Sequence, residues 1–158
     1  MRWFPYLVVV LGLLPGNLGA KEYFQQGPFT VRKVEGVCKM EIALSDKSGD
    51  TLALLALFPT DEYYAELFTD RKRVGIARKN LTIGFDDRKG VPIAFVPDSE
   101  GKDKFWRWQY LDNSQELLAE VRRRDKMSVN FSNGNQNFRL SVRLTGSAKA
   151  VDSLRKCR

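Results

Sequence analysis

Cys38 and Cys157 are the only cysteines in the 158-residue chain, and the chain holds no histidine. The missing imidazole excludes Ser-His-Asp and Cys-His catalysis, and with them every zinc centre that depends on histidine. What remains for covalent work is thiol chemistry, serine–lysine chemistry or carboxylate chemistry. "SLRK" (Ser153–Lys156) has the serine–lysine spacing of some acyl-transfer enzymes, without their companion motifs. "FDDRKG" (Phe85–Gly90) offers Asp86 and Asp87, but adjacent acids in a turn lack the spacing of a metal loop. No glycine-rich phosphate loop is present. The sequence therefore points to a protein without catalytic residues or cofactor, one that acts by binding.

Two groups of residues could do the binding. "VRRRDK" places Arg122, Arg123 and Arg124 at the end of a helical pattern, where the negative end of the helix dipole also favours cations. "FWRWQY" sets Trp106, Trp108 and Tyr110 on one side of a strand with Arg107 between them, a stripe able to stack on sugars or to fill a core. The other side of that strand is the more polar one, which favours indoles pointing inward. Arg139 and Arg143 add outward positive charge on a later strand. Asn80-Leu81-Thr82 and Asn130-Phe131-Ser132 are N-glycosylation sequons, relevant in a eukaryotic host.

These residues must be positioned by short elements. The chain opens "MRWFPYLVVVLGLLPGNLGA", with a charge at Arg2, an apolar run over 7–14, the breaker Pro15-Gly16 and a small residue at Ala20. That is the layout of a secretory signal peptide over residues 1–20, with an apolar run too short to span a bilayer. No cysteine follows the run to carry a lipid. Cleavage would leave a single domain of 138 residues and reduce the net charge from +7 to +6 through loss of Arg2. The expected location is periplasmic or secreted. The positive charge favours acidic partners without choosing among them.

Residues 21–28 read as a flexible leader ending at Gly27-Pro28, before one β-rich domain over 29–158. "VCKMEIALS" alternates with Cys38, Met40, Ile42 and Leu44 on one face, a half-buried strand. Strands are also expected at 29–34, 51–58, 81–85, 91–96 and 104–111, and less clearly at 62–69. A hairpin is expected from 127–131 and 137–144, with Phe138, Leu140, Val142 and Leu144 inward and Arg139, Ser141 and Arg143 outward. Leu117, Leu118 and Val121 recur at helical spacing within 112–125, and Ser147 is placed to cap a closing helix that aligns Ala150, Val151, Leu154 and Cys157. The fold class is mainly β: an antiparallel sandwich or barrel with two short helices, one C-terminal.

Cys38 on a buried strand face and Cys157 on a buried helix face most simply pair in an exported protein. A redox pair would sit closer in sequence, near an electropositive helix start, and neither condition holds. A pair of buried thiols and an intermolecular bridge are the alternatives.

The cadence "LTIGFDD", "DNSQELLAEVRRRDKMSVNF", "NFRLSVRLTGSAKAVDSL", over about residues 74–155, resembles the invasion-associated locus B family of exported bacterial proteins. That family carries cysteines near the strand before its first helix, whereas "KFWRWQYL" has none. The resemblance implies a periplasmic or surface-linked, non-enzymatic protein of the envelope, virulence-associated through host contact, and supplies no catalytic residues. The expected function is that of an envelope accessory protein binding another protein, one with an acidic surface. An anionic glycan or a membrane surface would also suit the charge, and nucleic acid is not expected because no reading module is present. The other reading is an inhibitor or immunity protein that blocks an exported toxin or envelope enzyme.

Overall fold

The computed structural model describes residues 20–59, 64–70, 72–75, 79–86, 91–92, 106–109 and 114–157. Ten strands and two helices follow in chain order: β1 (Lys21–Gln26), β2 (Phe29–Val34), β3 (Val37–Ser45), β4 (Thr51–Leu57), β5 (Tyr64–Thr69), β6 (Lys79–Phe85), β7 (Val91–Pro92), β8 (Trp106–Gln109), α1 (Ser114–Arg123), β9 (Lys126–Ser132), β10 (Asn137–Arg143) and α2 (Ser147–Lys156). The mainly antiparallel β architecture with two short helices, the second C-terminal, is as expected. All strands belong to one sheet, ordered β7-β6-β9-β10-β3-β4-β5-β8, with β1 and β2 attached beside β3. Among the described residues this sheet does not close, so of the two arrangements expected, sandwich or barrel, the barrel is set aside. The expected signal peptide falls almost wholly outside the described residues, as does most of the strand expected at 91–96.

Residues 21–28 are corrected as well. Lys21–Gln26, expected as a flexible leader, is strand β1, paired antiparallel with β2 from Lys21↔Lys33 to Gln26↔Phe29. The intervening Gly27 sits at φ 56°, a left-handed conformation that glycine adopts without a Cβ penalty. Strands β1 to β5 then run as a meander, each paired with the next. Strands β6, β9 and β10, with β7, form a second group. The groups meet at β3, where β10 contributes one registered pair, Ser141↔Ser45.

So thin a backbone seam needs side chains to close it. The inward faces of both groups, including Ile42 and Leu67 from the meander and Ile83, Val129 and Leu140 from the second, join one core with Leu118, Val121, Val151 and Leu154 from the helices. Helix α2 packs on α1 and against β1, β2 and β3. Its entry is made by Gly146 at φ 91°. Ser147, expected to cap the helix through its hydroxyl, instead donates that hydroxyl to the Val121 carbonyl at 2.7 Å, tying α2 to the end of α1. Val121 is in the last turn of α1, where carbonyls lack intrahelical donors, and that competition explains the difference.

The expected cross-link is present. Cys38 and Cys157 form a disulfide with Cα atoms 6.0 Å apart and a sequence separation of 119, and both are buried. It fastens the last residue before the chain end to the strand shared by both groups.

The junction between α1 and β9 is held by Asp86. This residue follows β6 at φ 53°, and its carboxylate accepts from the Asp125 and Lys126 amides at 3.1 and 3.2 Å. Asp86 of "FDDRKG" is therefore a turn residue whose carboxylate does structural work, and Asp87 lies outside the described residues. Replacing Asp86 by alanine should cost about 2 kcal/mol, since two charge-assisted hydrogen bonds vanish and the left-handed backbone is retained at a cost. Asp86→Asn should cost less. Urea unfolding of the two variants measures the difference.

Candidate functional site

The sequence singled out the basic end of α1 first, and the structure places each of its arginines against a carboxylate. Arg122 Nε and a terminal nitrogen meet Asp152 of α2 at 3.2 and 3.4 Å. Arg123 pairs with Glu120 one turn back. Arg124 bonds Glu120 at 2.6 Å and lies 3.8 Å from Asp86. Asp152 responds electrostatically: the Arg122 hydrogen bond holds its carboxyl below the ordinary aspartate value. Three cations thus face three acids, and Arg155 and Lys156 of α2 add further positive charge near Asp152. Exposed pairs of this kind contribute little to stability. Their effect is to spend the positive charge that the sequence displayed.

Arg139 and Arg143 are different. Both are exposed on the outward face of β10, whose Leu140 and Val142 point into the core. Arg139 is registered with Asn130 and Arg143 with Lys126, so one cation sits directly beside another. Among the described residues no carboxylate pairs with Arg139, Arg143 or Lys126. Like charges opposite each other on a sheet are unfavourable, and an acidic ligand would relieve that repulsion.

Trp106 and Trp108 occupy β8, where the backbone register sets them opposite Leu67 and Ala65, two core positions of β5. Tyr110 lies outside the described residues. The structure does not bring β8 beside the cations of β10: in the sheet order β3, β4 and β5 intervene.

One charged cluster was missed by the sequence reading. On the outward face of the meander Glu41, with 8 % of its surface exposed, accepts from Arg32 and Lys39, each at 2.7 Å. The Lys39 ammonium also lies 5.7 Å from the centre of the Phe68 ring. Period-two alternation signalled that Lys39 and Glu41 share a face; it could not show that Arg32, nine residues earlier, joins them. That follows from the β2–β3 register, which opposes Arg32 to Lys39 across a Glu35-Gly36 turn with positive φ at both residues. Burial pushes the Glu41 carboxyl's pKa upward, but the hydrogen bonds and charges of Lys39 and Arg32 outweigh it and leave the pKa below the usual glutamate value. A lowered folded pKa means stability that is complete above the unfolded pKa and is lost as pH falls through the folded one. Wild-type protein should therefore lose stability on acidification below the ordinary glutamate range, and Glu41→Gln should lose less over the same interval while being less stable at neutral pH. Chemical denaturation between pH 3 and 7 tests the sign.

The fold is thus an antiparallel sheet, not closed among the described residues, whose two strand groups share one core with the helices, and the candidate site is a cationic stretch of its outer face. No family model matches the chain, and neither a curated protein nor a solved structure is similar to it.

Proposed function

We propose that the protein is an exported, non-enzymatic accessory of a bacterial envelope that acts by binding a negatively charged partner. The observation that carries this reading is the contrast between two sets of cations. Arg122, Arg123 and Arg124 are matched by Glu120, Asp152 and Asp86, whereas Arg139, Arg143 and Lys126 share an outward face with no acid among the described residues paired to them. Arginine suits this task because its weakly hydrated planar fork engages carboxylate, sulfate or phosphate bidentately.

Export is supported by the signal-like residues 1–20 and by the disulfide, which forms and persists in oxidising compartments. No helix among the described residues is long and apolar enough to cross a membrane. The absence of histidine and the engagement of both cysteines with each other support binding over covalent chemistry. The cadence shared with the invasion-associated locus B family supports an envelope role linked to host contact.

The test is capture of partners from a periplasmic extract by immobilised wild-type protein, compared with two variants. R139A/R143A should lose the captured partner at physiological salt, and R122A/R123A should retain it. Equal capture by wild type and R139A/R143A would contradict the reading.

A further inference from the structure

The outward face around Arg139 and Arg143 has a relief that net charge does not reveal. One row of the sheet, followed through its register, reads Gly84↔Ser128, Ser128↔Ser141, Ser141↔Ser45 and Ser45↔Thr51. It crosses β6, β9, β10, β3 and β4 with nothing larger than a threonine. With strands about 4.8 Å apart, the row is about 19 Å long. Gly84 and Ser128 are buried, Ser141 and Ser45 are half-buried, and the Ser45 and Thr51 hydroxyls lie 3.4 Å apart.

The neighbouring rows are taller, with one cation on one side and two on the other. Two residues along the strands on one side stand Arg139 and Asn130, with Asn130 donating its amide to the Thr82 hydroxyl at 3.1 Å. Two residues along on the other side stand Arg143 and Lys126. Each step of two residues along a strand is about 6.7 Å, so the rows are about 13 Å apart. Of the acids bordering this region, the exposed Asp125 beside Lys126 has no side-chain partner among the described residues, while three others are engaged elsewhere. Asp86 is committed to the Asp125 and Lys126 amides and lies near Arg124. Asp46 accepts three hydrogen bonds within its own turn, and Asp50 pairs with Arg73.

We infer that this hydroxyl-floored trough, walled by Arg139 on one side and Arg143 with Lys126 on the other, binds a single chain of an acidic polysaccharide lying across the strands. The inference rests on the proposed binding of a negatively charged partner and names the chemical class of that partner. The accessible part of the floor, Ser141, Ser45 and Thr51, offers donors and acceptors to sugar hydroxyls, and the flanking cations meet carboxylate or sulfate substituents on either edge. Among the described residues the trough has no exposed aromatic ring, which single-stranded nucleic acid would use for base stacking. It likewise offers no apolar pocket of the kind that anchors a protein partner.

The experiment titrates the whole protein with polygalacturonate, neutral dextran, polyglutamate and oligothymidylate, read by titration calorimetry and sedimentation. Polygalacturonate should bind best, with affinity falling as salt rises, and dextran should not bind. Replacing the three wall cations (K126A/R139A/R143A) should weaken binding about tenfold, whereas R122A/R123A should leave it unchanged. Ser141→Phe fills the floor without altering charge and should also weaken polygalacturonate binding about tenfold; Ser141→Gln serves as a second filler should the phenylalanine variant melt early. Polyglutamate binding as tightly as polygalacturonate, with both Ser141 variants unaffected, would overturn the trough while leaving the acidic-partner reading standing. Tighter binding of oligothymidylate would overturn the choice of polysaccharide. Failure of every polyanion to bind wild-type protein would overturn both.

Discussion

Cys38→Ala/Cys157→Ala is expected to unfold with a free energy about 4 kcal/mol lower than the disulfide-bonded protein, and to melt about 10–15 °C earlier. The sequence separation of 119 residues is the reason for so large a value: the cross-link removes most of the loop-closure freedom of the unfolded chain. A second cause lies in the folded state. The two strand groups share one registered backbone pair between β10 and β3, and α2 is the element that contacts β1, β2, β3 and α1 together. Without the bond, α2 is retained by Ala150, Val151 and Leu154 and by the Ser147–Val121 hydrogen bond. The urea dependence should steepen as well, because an uncrosslinked unfolded chain exposes more surface. Equilibrium urea unfolding of both proteins, monitored by tryptophan fluorescence, gives the difference directly. A loss below about 1 kcal/mol would mean that the clasp adds nothing the core does not already supply.

Phe131→Ala should be comparably severe, at about 3–5 kcal/mol. Phe131 is 2 % exposed on β9 and stacks on Phe138 of β10 with ring centroids 5.3 Å apart. Truncation leaves a cavity between two strands that carry the second group of the sheet, and Phe138 loses its partner. The neighbouring position provides the control. Asn130 points to the opposite face, where its side chain makes one hydrogen bond to Thr82, so Asn130→Ala should cost about 1 kcal/mol. Thermal and urea unfolding of the pair therefore test the face assignment of β9 on which the trough depends. Equal costs at the two positions would mean that the alternation is wrong.

The sequence made the interior of each element legible better than its surroundings. Strands β2 and β3 span 29–34 and 37–45, as alternation and the turn at Glu35-Gly36 indicate, and Cys38, Met40, Ile42 and Leu44 are all buried. The aligned face of α2 is buried as its spacing requires, with Ala150, Val151 and Leu154 inward. Strand β1 was not legible because "KEYFQQ" has no apolar alternation. Its pairing partner is β2, and polar edge residues satisfied by a neighbouring strand leave no periodic trace. The function of Ser147 was misread for a related reason: a capping hydroxyl and one that bonds a carbonyl in another helix have the same local sequence.

Charge was the least legible property. The pairing of Arg123 and Arg124 with Glu120 is readable from spacings of three and four residues on a helix, but Asp152 lies 30 residues from Arg122 and meets it only because α2 packs beside α1. The Arg122–Arg124 run therefore looks more basic in sequence than it is in space. Arg139 and Arg143 look unremarkable in sequence, and among the described residues no acid pairs with either. The serine row was invisible, since its members come from five strands and are aligned by register alone.

Arginine-selective labelling read out by mass spectrometry, with and without saturating polygalacturonate, tests the central claim most directly. The account predicts that Arg139 and Arg143 become protected while Arg122 and Arg123 label at the same rate in both samples. Protection at the end of α1 with unchanged labelling on β10 would contradict it.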